Sequence, residues 1–413
     1  MSRSTLNDAR QIALNAIASC LPQEGVKRAL KDLHIDKDVY LLAVGKAAFS
    51  MAKAASEVLK IREGIVITKY GHTGGQIEHV RCFEAGHPLV DENSVRATEE
   101  AIGMCSSLRK EDTVVFLLSG GASALFESPL IPLKELQELN RLFLNEALDI
   151  VSINTIRKKL SKVKGGRFAD LCRPAKVCSI ILSDVLSDRL DSIGSGPTAK
   201  DETNGEDALR ILDEKGIAIS DQIRRIILDS KSGEADNCEN IIIGSVKILA
   251  KQAMKEASAL GYRPILIDDQ IDIEAKEAGE LLFRQIRAHL DDEEDVALIL
   301  AGETLVHVKG KGLGGRNQEL VFSQMKNISG LEGVCILSIG SDGTDGPTDA
   351  AGGIIDASSY EKFLKTGGDF DEILRDNDTY HGLKMIDSLI ITGPTGTNVN
   401  DLTLALITHK EGR

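Results

Sequence analysis

Short apolar runs alternate with helical stretches along most of this chain, and this rhythm constrains the fold more than any other feature. Helical patterns near Ala47–Leu59 and Ser94–Leu108 lie between the first runs. Buried strands separated by helices are typical of a parallel α/β sheet. Each run stops at small, glycine-rich or acidic residues: V-Y-L-L-A-V-G-K, G-I-V-I-T-K-Y-G, R-C-F-E-A-G-H-P, T-V-V-F-L-L-S-G-G-A-S and K-V-C-S-I-I-L-S-D. Because the carboxyl ends of parallel strands share one edge, we expect a ligand to bind there.

A polar segment, Ser230–Asn240, interrupts the rhythm, and a second α/β series follows it. This series contains E-N-I-I-I-G-S, a helical pattern over Val246–Leu260, P-I-L-I-D-D, V-A-L-I-L-A-G-E-T, V-C-I-L-S-I-G-S-D-G and S-L-I-I-T-G-P-T-G-T-N. A chain of 413 residues usually exceeds a single core. The sequence therefore predicts two α/β domains, residues 1–235 and residues 236–413.

Composition excludes several classes of function. A net charge of -14 argues against a nucleic-acid groove, and the absence of tryptophan argues against a stacking platform for single strands. No uncharged apolar run approaches the ~20 residues of a membrane helix, so we expect no membrane partner. The first ten residues carry charge without an apolar core, and the seven scattered cysteines form no C-x-x-C. These features indicate a cytoplasmic protein with reduced thiols.

The segment K-G-K-G-L-G-G-R-N-Q-E-L, residues 309–320, contains G-x-G-x-x-G after an apolar run, Leu305–Val308, that we expect to be a strand. A dinucleotide fingerprint also needs an acidic residue about 20 positions on. The next predicted strand ends in S-I-G-S-D-G, which places its acidic residue, Asp342, about 30 positions after Gly312. Arg316 at the start of the following helix favours an anion, a phosphate or a carboxylate, over a dinucleotide. We expect Gly314, Gly315 and Asn317 to belong to this site; the alternative is a flexible turn with a solvated arginine.

A second small-residue turn, S-G-G-A-S, follows the fourth apolar run. Its members, Ser119, Gly120, Gly121, Ala122 and Ser123, would let a backbone approach phosphate or carboxylate oxygens closely. The alternative is a tight βα turn without a ligand.

Two single residues accompany this turn in the strand-end pattern. Lys46 follows the first run and could reach a transferring phosphoryl group over the sheet edge, although most lysines are simply surface residues. His87, which ends the third run, could act as an acid or base, although a turn histidine is the more common role.

Two acidic segments end other runs. In S-D-V-L-S-D-R-L-D, helical backbone would place Asp184, Asp188 and Asp191 on one face. In S-D-G-T-D-G-P-T-D, Asp342 and Asp345 could hold Mg²⁺ together with substrate phosphates, since Mg²⁺ needs only one or two protein carboxylates. Helix caps and turns are the alternative explanation for both segments. A basic run such as residues 153–167 is usually a solvated face, and within it only Arg157 and Lys164 are kept as candidates for binding a ligand.

Together these motifs resemble the glycerate 2-kinases, the family whose C-terminal half is called the MOFRL domain. The resemblance extends from about Ala43 to Leu402, with alanine at 122 and serine at 187 where glycine is usual. It is carried by A-V-G-K-A-A-x-S-M-A, L-S-G-G-A-S-A-L, I-N-T-I-R-K-K-L-S-K-V-K-G-G-R, L-S-D-V-x-x-D-x-x-x-x-I-G-S-G-P-T, G-G-R-N-Q-E, S-D-G-T-D-G-P-T-D-A-A-G and G-T-N-V-N-D-L.

The resemblance implies an ATP-dependent, magnesium-requiring kinase that phosphorylates the C2 hydroxyl of D-glycerate, acting as a monomer or homodimer. It also implies a Rossmann-like first domain, a MOFRL second domain and an active-site cleft between them. Lys46 and Arg316 would be the active-site cations, and Asp188 or Asp184 would accept the hydroxyl proton. The alternatives are an NAD(P)-dependent reductase of hydroxypyruvate or tartronate semialdehyde and a non-catalytic binder of anionic metabolites.

Overall fold

The computed structural model describes residues 4–35 and 37–409 and divides the chain into two compact units. The first unit comprises Pro22–Ile243, and the second comprises Met1–Leu21 with Gly244–Arg413. Within the described residues, no helix combines the length and apolar character required to cross a bilayer. None of the seven cysteines, all of which lie in the described residues, forms a disulfide bond.

The chain starts with α1 (Thr5–Ser19), and the first unit then alternates strands with helices. Its elements are α2 (Pro22–Asp32), β1 (Val39–Val44), α3 (Ala48–Ser56), β2 (Ile61–Lys69), β3 (Val80–Ala85), α4 (Glu92–Cys105), β4 (Thr113–Leu118), α5 (Ala122–Leu125), α6 (Leu133–Asn145), α7 (Ile150–Lys159), α8 (Arg167–Leu171), β5 (Lys176–Leu182), a 3-10 turn (Ile193–Ser195), α9 (Gly205–Glu214), α10 (Asp221–Asp229) and β6 (Cys238–Gly244).

The six strands of the first unit form one sheet in the order β3-β2-β1-β4-β5-β6. The pairs β3-β2, β2-β1, β1-β4 and β4-β5 are all parallel. This is the strand order of the Rossmann fold, in which the chain reverses direction across the sheet between β1 and β4. In such sheets ligands bind outside the carboxyl ends of the strands at that switch point. The fold therefore directs attention to the loops after β1 and β4.

The interior of the first unit explains why these runs become strands. β1 is buried along its whole length, and every residue of β4 after Thr113 is buried. Continuous apolar runs of this kind are expected of parallel strands covered on both faces. A separate apolar cluster joins α6, α7, α9 and α10 into a helical layer around Phe143 and Ile156.

The second unit contains a mixed sheet. After β6 its elements are α11 (Val246–Ala259), β7 (Arg263–Ile271), α12 (Ala275–Ala288), β8 (Val296–Gly302), α13 (Arg316–Gln324), β9 (Val334–Gly340), β10 (Gly352–Asp356), α14 (Ser359–Lys365), α15 (Phe370–Arg375), α16 (Thr379–Lys384), β11 (Leu389–Ile390) and β12 (Asp401–Ile407). The sheet order is β11-β10-β9-β12-β8-β7. β12 lies antiparallel between β8 and β9, so its first residue, Asp401, lies beside Gly302 and Gly340, which end those strands.

The two predicted α/β domains are confirmed, but their composition differs from the predicted division at residue 235. E-N-I-I-I-G-S forms β6 and joins the first sheet, so the first unit extends to Ile243. Helix α1 belongs to the second unit, because its buried face, which includes Ile12 and Ile17, packs against α11 and the β9-β12 pair. The local sequence pattern cannot show that β6 joins the first sheet or that α1 joins the second unit, because both placements depend on contacts between distant segments.

The predicted strand at Leu305–Val308 is wrong. This segment is irregular, apart from an isolated bridge between Leu305 and Glu274, and the side chain of Val308 is 72% exposed. The strand that precedes the glycine-rich loop is β8, which ends at Gly302. The loop therefore lacks the direct strand–turn–helix context that a dinucleotide fingerprint requires.

Candidate active site

The loops after β1 and β4 are joined by hydrogen bonds at the switch point of the first sheet. The Lys46 N–H donates to the Gly120 carbonyl oxygen at 2.9 Å, and the Ala47 N–H donates to Ser119 Oγ at 3.1 Å. Gly45 has φ +120°, and a Cβ there would lie 2.2 Å from Ser119 Oγ, so only glycine allows this approach. These contacts fix Lys46 beside the S-G-G-A-S turn, as the strand-end pattern predicts.

The backbone N–H groups of the turn itself are available to a ligand. Within residues 4–35 and 37–409, the N–H groups of Gly120, Gly121, Ala122 and Ser123 have no acceptor. The turn is supported from behind, because buried Lys164 donates to the carbonyl oxygens of Ser123 and Phe126. Consecutive N–H groups in a turn of this kind form an anion-binding concavity.

Three side chains border this turn. Asp184 lies against Gly120, where a Cβ would be 2.2 Å from its Oδ2 atom. On the other side, a Cβ on Gly121 would lie 3.0 Å from His87 Nε2 and 3.4 Å from Lys46 Cγ. Gly121 has φ +86°, which also favours glycine. The structure thus brings together a lysine, a histidine and a carboxylate around a turn with free N–H groups.

The charged side chains that border the turn are Lys46 and Asp184. Lys46 is exposed and makes no ion pair with any described residue. Burial lowers the pKa of the His87 imidazole, and the positive charges of Lys46 and Lys69 lower it further. His87 is therefore neutral at pH 7, which leaves Lys46 as the group that supplies positive charge at the turn.

The segment Ser183–Asp191 is not helical, so its aspartates do not share one helix face. The segment is a series of turns in which Asp188 adopts φ +53°. As a result, Asp184, Asp188 and Asp191 have different surroundings. Asp191 accepts from the Lys158 ammonium at 3.0 Å and from Arg189 at 2.9 Å, so it has a structural role. Asp188 Oδ1, in contrast, is buried without a hydrogen-bond partner among the described residues. Asp184 and Asp188 thus remain candidates for catalysis.

Most of the basic run, residues 153–167, is buried rather than solvated. Lys158 and Lys159 pair with Asp201 at 3.2 and 2.7 Å, and Lys164 pairs with Glu127 at 3.2 Å. Each of these lysines is at most 2% exposed. Removing one partner of a buried ion pair is strongly destabilising, so we assign these residues to the scaffold that supports the turn.

The glycine-rich loop of the second unit differs from the turn, because its first five N–H groups are occupied. The Lys309 and Gly310 N–H groups donate to Asn377 Oδ1 at 2.8 and 3.1 Å. The next three donate to Asp376 Oδ1, the Asp376 carbonyl oxygen and Asp378 Oδ1, each at 2.8 or 2.9 Å. A segment of the protein itself, Asp376–Asp378, therefore takes the place that a phosphate would occupy in a dinucleotide fingerprint.

The remaining part of this loop can still accept an anion. The N–H groups of Gly314, Gly315 and Arg316 have no acceptor within the described ranges, and they lie at the start of α13. The predicted binding residues Gly314 and Gly315 therefore keep donors for a ligand, with support from the positive end of the helix. Asn317 does not, because its N–H donates to Asp345 Oδ1 and its Oδ1 accepts from Ser338.

The guanidinium of Arg316 binds carboxylates of the protein. It donates to both oxygens of Asp401, at 2.5 and 3.0 Å, and to Glu303 at 2.9 Å. Burial opposes its charge, but these carboxylates outweigh burial and raise the pKa of Arg316. Burial raises the pKa of Asp401 to about 6, partly offset by Arg316. These contacts use three of the five guanidinium N–H donors, so Arg316 can reach a ligand through the other two or by releasing a carboxylate.

The predicted magnesium ligands do not fit that role as a pair. Asp345 is 2% exposed, and its two carboxylate oxygens accept N–H groups of Asn317 and Gln318 at the start of α13. Burial raises the pKa of Asp345, although these donors act in the opposite direction. Asp342 accepts from the N–H and hydroxyl of Thr344. Among the described residues, no three His, Cys, Asp or Glu side chains cluster as a metal site.

Comparisons with known proteins decide the family. A relative from Thermotoga maritima named D-glycerate 2-kinase is 47% identical over 97% of each chain. The chain belongs to the glycerate 2-kinase family. A glycerate 2-kinase from Pyrococcus horikoshii is 37% identical over 98% of this chain and 99% of its own. A solved glycerate kinase from Thermotoga maritima matches with a TM-score of 0.94 and 46% identity, covering 97% of this chain and 99% of that chain.

Two family profiles match separate parts of this glycerate 2-kinase family member. A profile described as a domain of unknown function, DUF4147, matches residues 8–228, and the MOFRL family profile matches residues 296–401. The resemblance drawn from the motifs is thereby confirmed. Two relatives from Agrobacterium vitis, both 34% identical, carry a provisional name, hydroxypyruvate reductase; they cover 89% and 98% of this chain and 98% and 96% of their own.

Sequence reasoning missed two functional features of this family member. Asp401 lies within the quoted motif G-T-N-V-N-D-L, but nothing local shows that it binds Arg316, 85 residues away. Asp376–Asp378 lies in no motif, and the sequence offers no signal that it occupies the glycine-rich loop. Both features depend on the register of distant strands and loops.

Proposed function

We propose that this protein transfers the terminal phosphoryl group of ATP to the C2 hydroxyl of D-glycerate, forming 2-phosphoglycerate. The observation that carries the proposal is the S-G-G-A-S turn, whose four N–H groups, Gly120 to Ser123, lack acceptors among the described residues. The turn lies at the switch point of a Rossmann-type sheet, beside Lys46, which makes no ion pair with a described residue; both features also support an anionic substrate.

Phosphoryl transfer requires positioning and charge neutralisation more than covalent chemistry by the protein. In this proposal the turn holds an anionic group of a substrate through backbone N–H groups, and the Lys46 ammonium stabilises the charge on the transferred phosphoryl group. Asp188 or Asp184 accepts the proton of the hydroxyl. Asp188 is suited to this because its buried Oδ1 lacks a protein donor among the described residues.

In the second unit, the N–H groups of Gly314, Gly315 and Arg316 can hold an anionic group. The guanidinium of Arg316 can bind this group through the two N–H donors that its contacts with Asp401 and Glu303 leave unused among the described residues. Asn317 and Asp345 position the start of α13. The requirement for Mg²⁺, the monomeric or dimeric state and the cytoplasmic location stay predictions that rest on the family resemblance and composition.

The reductase alternative is favoured by the names of the two Agrobacterium vitis relatives. Against it, the N–H groups of residues 309–313 are occupied by Asp376–Asp378, and no strand leads directly into that loop. A pyrophosphate bound there would have to displace both aspartates and Asn377.

The deciding experiment incubates the purified protein with D-glycerate and ATP and follows ADP formation. Phosphorus NMR of the product then distinguishes 2-phosphoglycerate from 3-phosphoglycerate. A parallel reaction with hydroxypyruvate and NADH, without ATP, follows absorbance at 340 nm. ADP formation that requires D-glycerate supports the proposal. NADH oxidation without ADP formation would establish the reductase instead.

A further inference from the structure

His87 borders the S-G-G-A-S turn but has no polar partner in the part of the chain that the structure describes. It follows β3, two residues after the last strand residue, Ala85, and its side chain is half-buried. Among residues 4–35 and 37–409, none forms a hydrogen bond or ion pair with either nitrogen of the ring. The three other candidate residues near this edge, Lys46, Asp184 and Asp188, already have roles in the proposed reaction, whereas His87 has none.

The orientation of the ring is defined by Gly121. A Cβ on Gly121 would lie 2.9 Å from Cδ2 and 3.0 Å from Nε2 of His87, so this edge of the imidazole faces the turn. The same Cβ would lie 3.4 Å from Lys46 Cγ. Because residue 121 has no Cβ, a space stays open between Nε2 of His87, the aliphatic part of Lys46 and the N–H groups of the turn.

The charge state of the ring is set by its surroundings. Burial lowers the pKa of His87, and the charges that act on it are those of Lys46, after β1, and Lys69, the last residue of β2. Asp184 lies across the turn, against Gly120. A neutral imidazole carries one N–H donor and does not compete with the neighbouring ammonium groups for a carboxylate.

We propose that His87 donates a hydrogen bond from Nε2 to an anionic oxygen of the substrate bound at the S-G-G-A-S turn. The proposal rests on the proposed function and deepens it by adding a substrate-contacting residue. It assigns the Nε2–H tautomer to the bound state. The oxygen belongs to a phosphate of ATP or to the carboxylate of D-glycerate, which share the chemistry that this site recognises.

Three substitutions test which ring nitrogen acts. The amide nitrogen of Gln can occupy the place of Nε2, that of Asn can occupy the place of Nδ1, and Ala has no donor. We expect His87→Ala to lower kcat/KM by about 10- to 100-fold, the effect of losing one hydrogen bond to a charged group. His87→Gln should recover most of this loss, and His87→Asn should not.

His72→Gln is the matched control, since His72 is an exposed histidine near the same loops whose Nδ1 lies 3.4 Å from the Lys46 carbonyl oxygen. We expect it to stay within about twofold of wild type in kcat/KM. If Ala, Asn and Gln at position 87 are all near wild type, or all equally impaired, His87 only fills space and the proposal is wrong.

Calorimetric titrations with ATP alone and with D-glycerate alone identify the oxygen. Weaker binding of ATP to His87→Ala assigns it to a phosphate, and weaker binding of D-glycerate assigns it to the carboxylate. In the wild-type protein, NMR should show the pKa of His87 rising when that ligand binds, because an adjacent anion favours the charged ring. Unchanged binding in both titrations together with an unchanged pKa overturns the proposal. Absence of glycerate-dependent ADP formation by the wild type would instead refute the proposed function, and the ATP titration would still test His87.

Discussion

The two glycine-containing loops of this protein contain similar residues but have opposite hydrogen-bonding states. In the S-G-G-A-S turn of the first unit, four successive N–H groups lack acceptors within the described residues. In the loop of the second unit, residues 309–313 donate all five N–H groups to Asp376–Asp378. The cations beside them differ in the same way: Lys46 is unpaired among the described residues, and Arg316 binds Asp401 and Glu303.

This comparison teaches that glycine content alone does not identify an anion site. Glycine permits close approach of backbone to an acceptor, but the acceptor can be a ligand or another segment of the same chain. Where a protein carboxylate already satisfies the donors, the loop is a structural contact. The open turn should therefore respond to substitution mainly through activity, and the occupied loop mainly through stability.

The largest effect is expected for the unpaired cation. Lys46→Met should lower kcat/KM by about 1000-fold, because it removes the charge that stabilises the phosphoryl group. Its melting temperature should stay close to that of wild type, since the ammonium makes no ion pair with a described residue. Lys53→Met, an exposed lysine on α3, is the control for loss of a surface charge. Near-normal turnover of Lys46→Met would remove the first loop from the mechanism.

The paired cation should affect stability. Arg316→Ala should lower the free energy of unfolding by about 4 kcal/mol, because it leaves the buried Asp401 carboxylate without its partner. Denaturant unfolding of Arg316→Ala, Asp401→Asn and the double variant measures this coupling. We expect the double variant to be more stable than Arg316→Ala alone. Additive effects would show that the pair contributes nothing to the fold.

Asp401 should also make stability depend on pH. The pKa of the Asp401 carboxyl is about 6 in the folded protein, against the ordinary value of 3.8 that we take for the unfolded chain. The folded protein therefore binds this proton more tightly than the unfolded chain does. Its contribution to stability is therefore complete below pH 4 and is lost as pH rises to about 6, by up to about 3 kcal/mol. The difference in unfolding free energy between wild type and Asp401→Asn should change across this window. A constant difference from pH 4 to pH 7 would contradict the assignment.

The smallest effects are expected from one matched pair of glycine substitutions. Gly120→Ala places a Cβ 2.2 Å from Oδ2 of Asp184, a side-chain atom rather than backbone, so it should lower kcat/KM about 10-fold with a smaller change in stability. Gly312→Ala places a Cβ within 2.6 Å of the Asp376 carbonyl oxygen and Asp378 Cα, which cannot move away easily. It should cost about 2 kcal/mol of unfolding free energy while the folded enzyme stays active. The reverse pattern would invert the roles of the two loops.

Much of the first unit could be predicted from sequence because its signals are local. The buried runs of β1, β2, β4 and β5 and the helices α3 and α4 were predicted close to their observed bounds. The strand-end pattern placed Lys46, Ser119–Ser123, Asp184 and His87 at one edge, and the structure brings these residues together. Parallel topology makes such convergence predictable, since all strand ends of one direction meet at the same edge.

The second unit was harder to predict because its sheet is mixed. β12, the run D-L-T-L-A-L-I, was not recognised as a strand, although it lies at the centre of the sheet and is buried along its whole length. Its antiparallel placement puts the first residue, Asp401, at the edge where β8 and β9 end, and only there can it bind Arg316. The error at Leu305–Val308 is the opposite one: this apolar run is predicted as a strand, but it pairs with no strand among the described residues.

By itself the sequence determined the α/β class, the family and the residues that gather at the carboxyl edge of the first sheet. These follow from apolar periodicity and from short motifs, which are properties of contiguous residues. Only the tertiary structure decided which glycine loop keeps free N–H groups, because that depends on whether the fold places a distant carboxylate, such as that of Asp376 or Asp345, within hydrogen-bonding distance of them. Hydrogen-bond donors are visible in a sequence, whereas their acceptors are fixed by the fold.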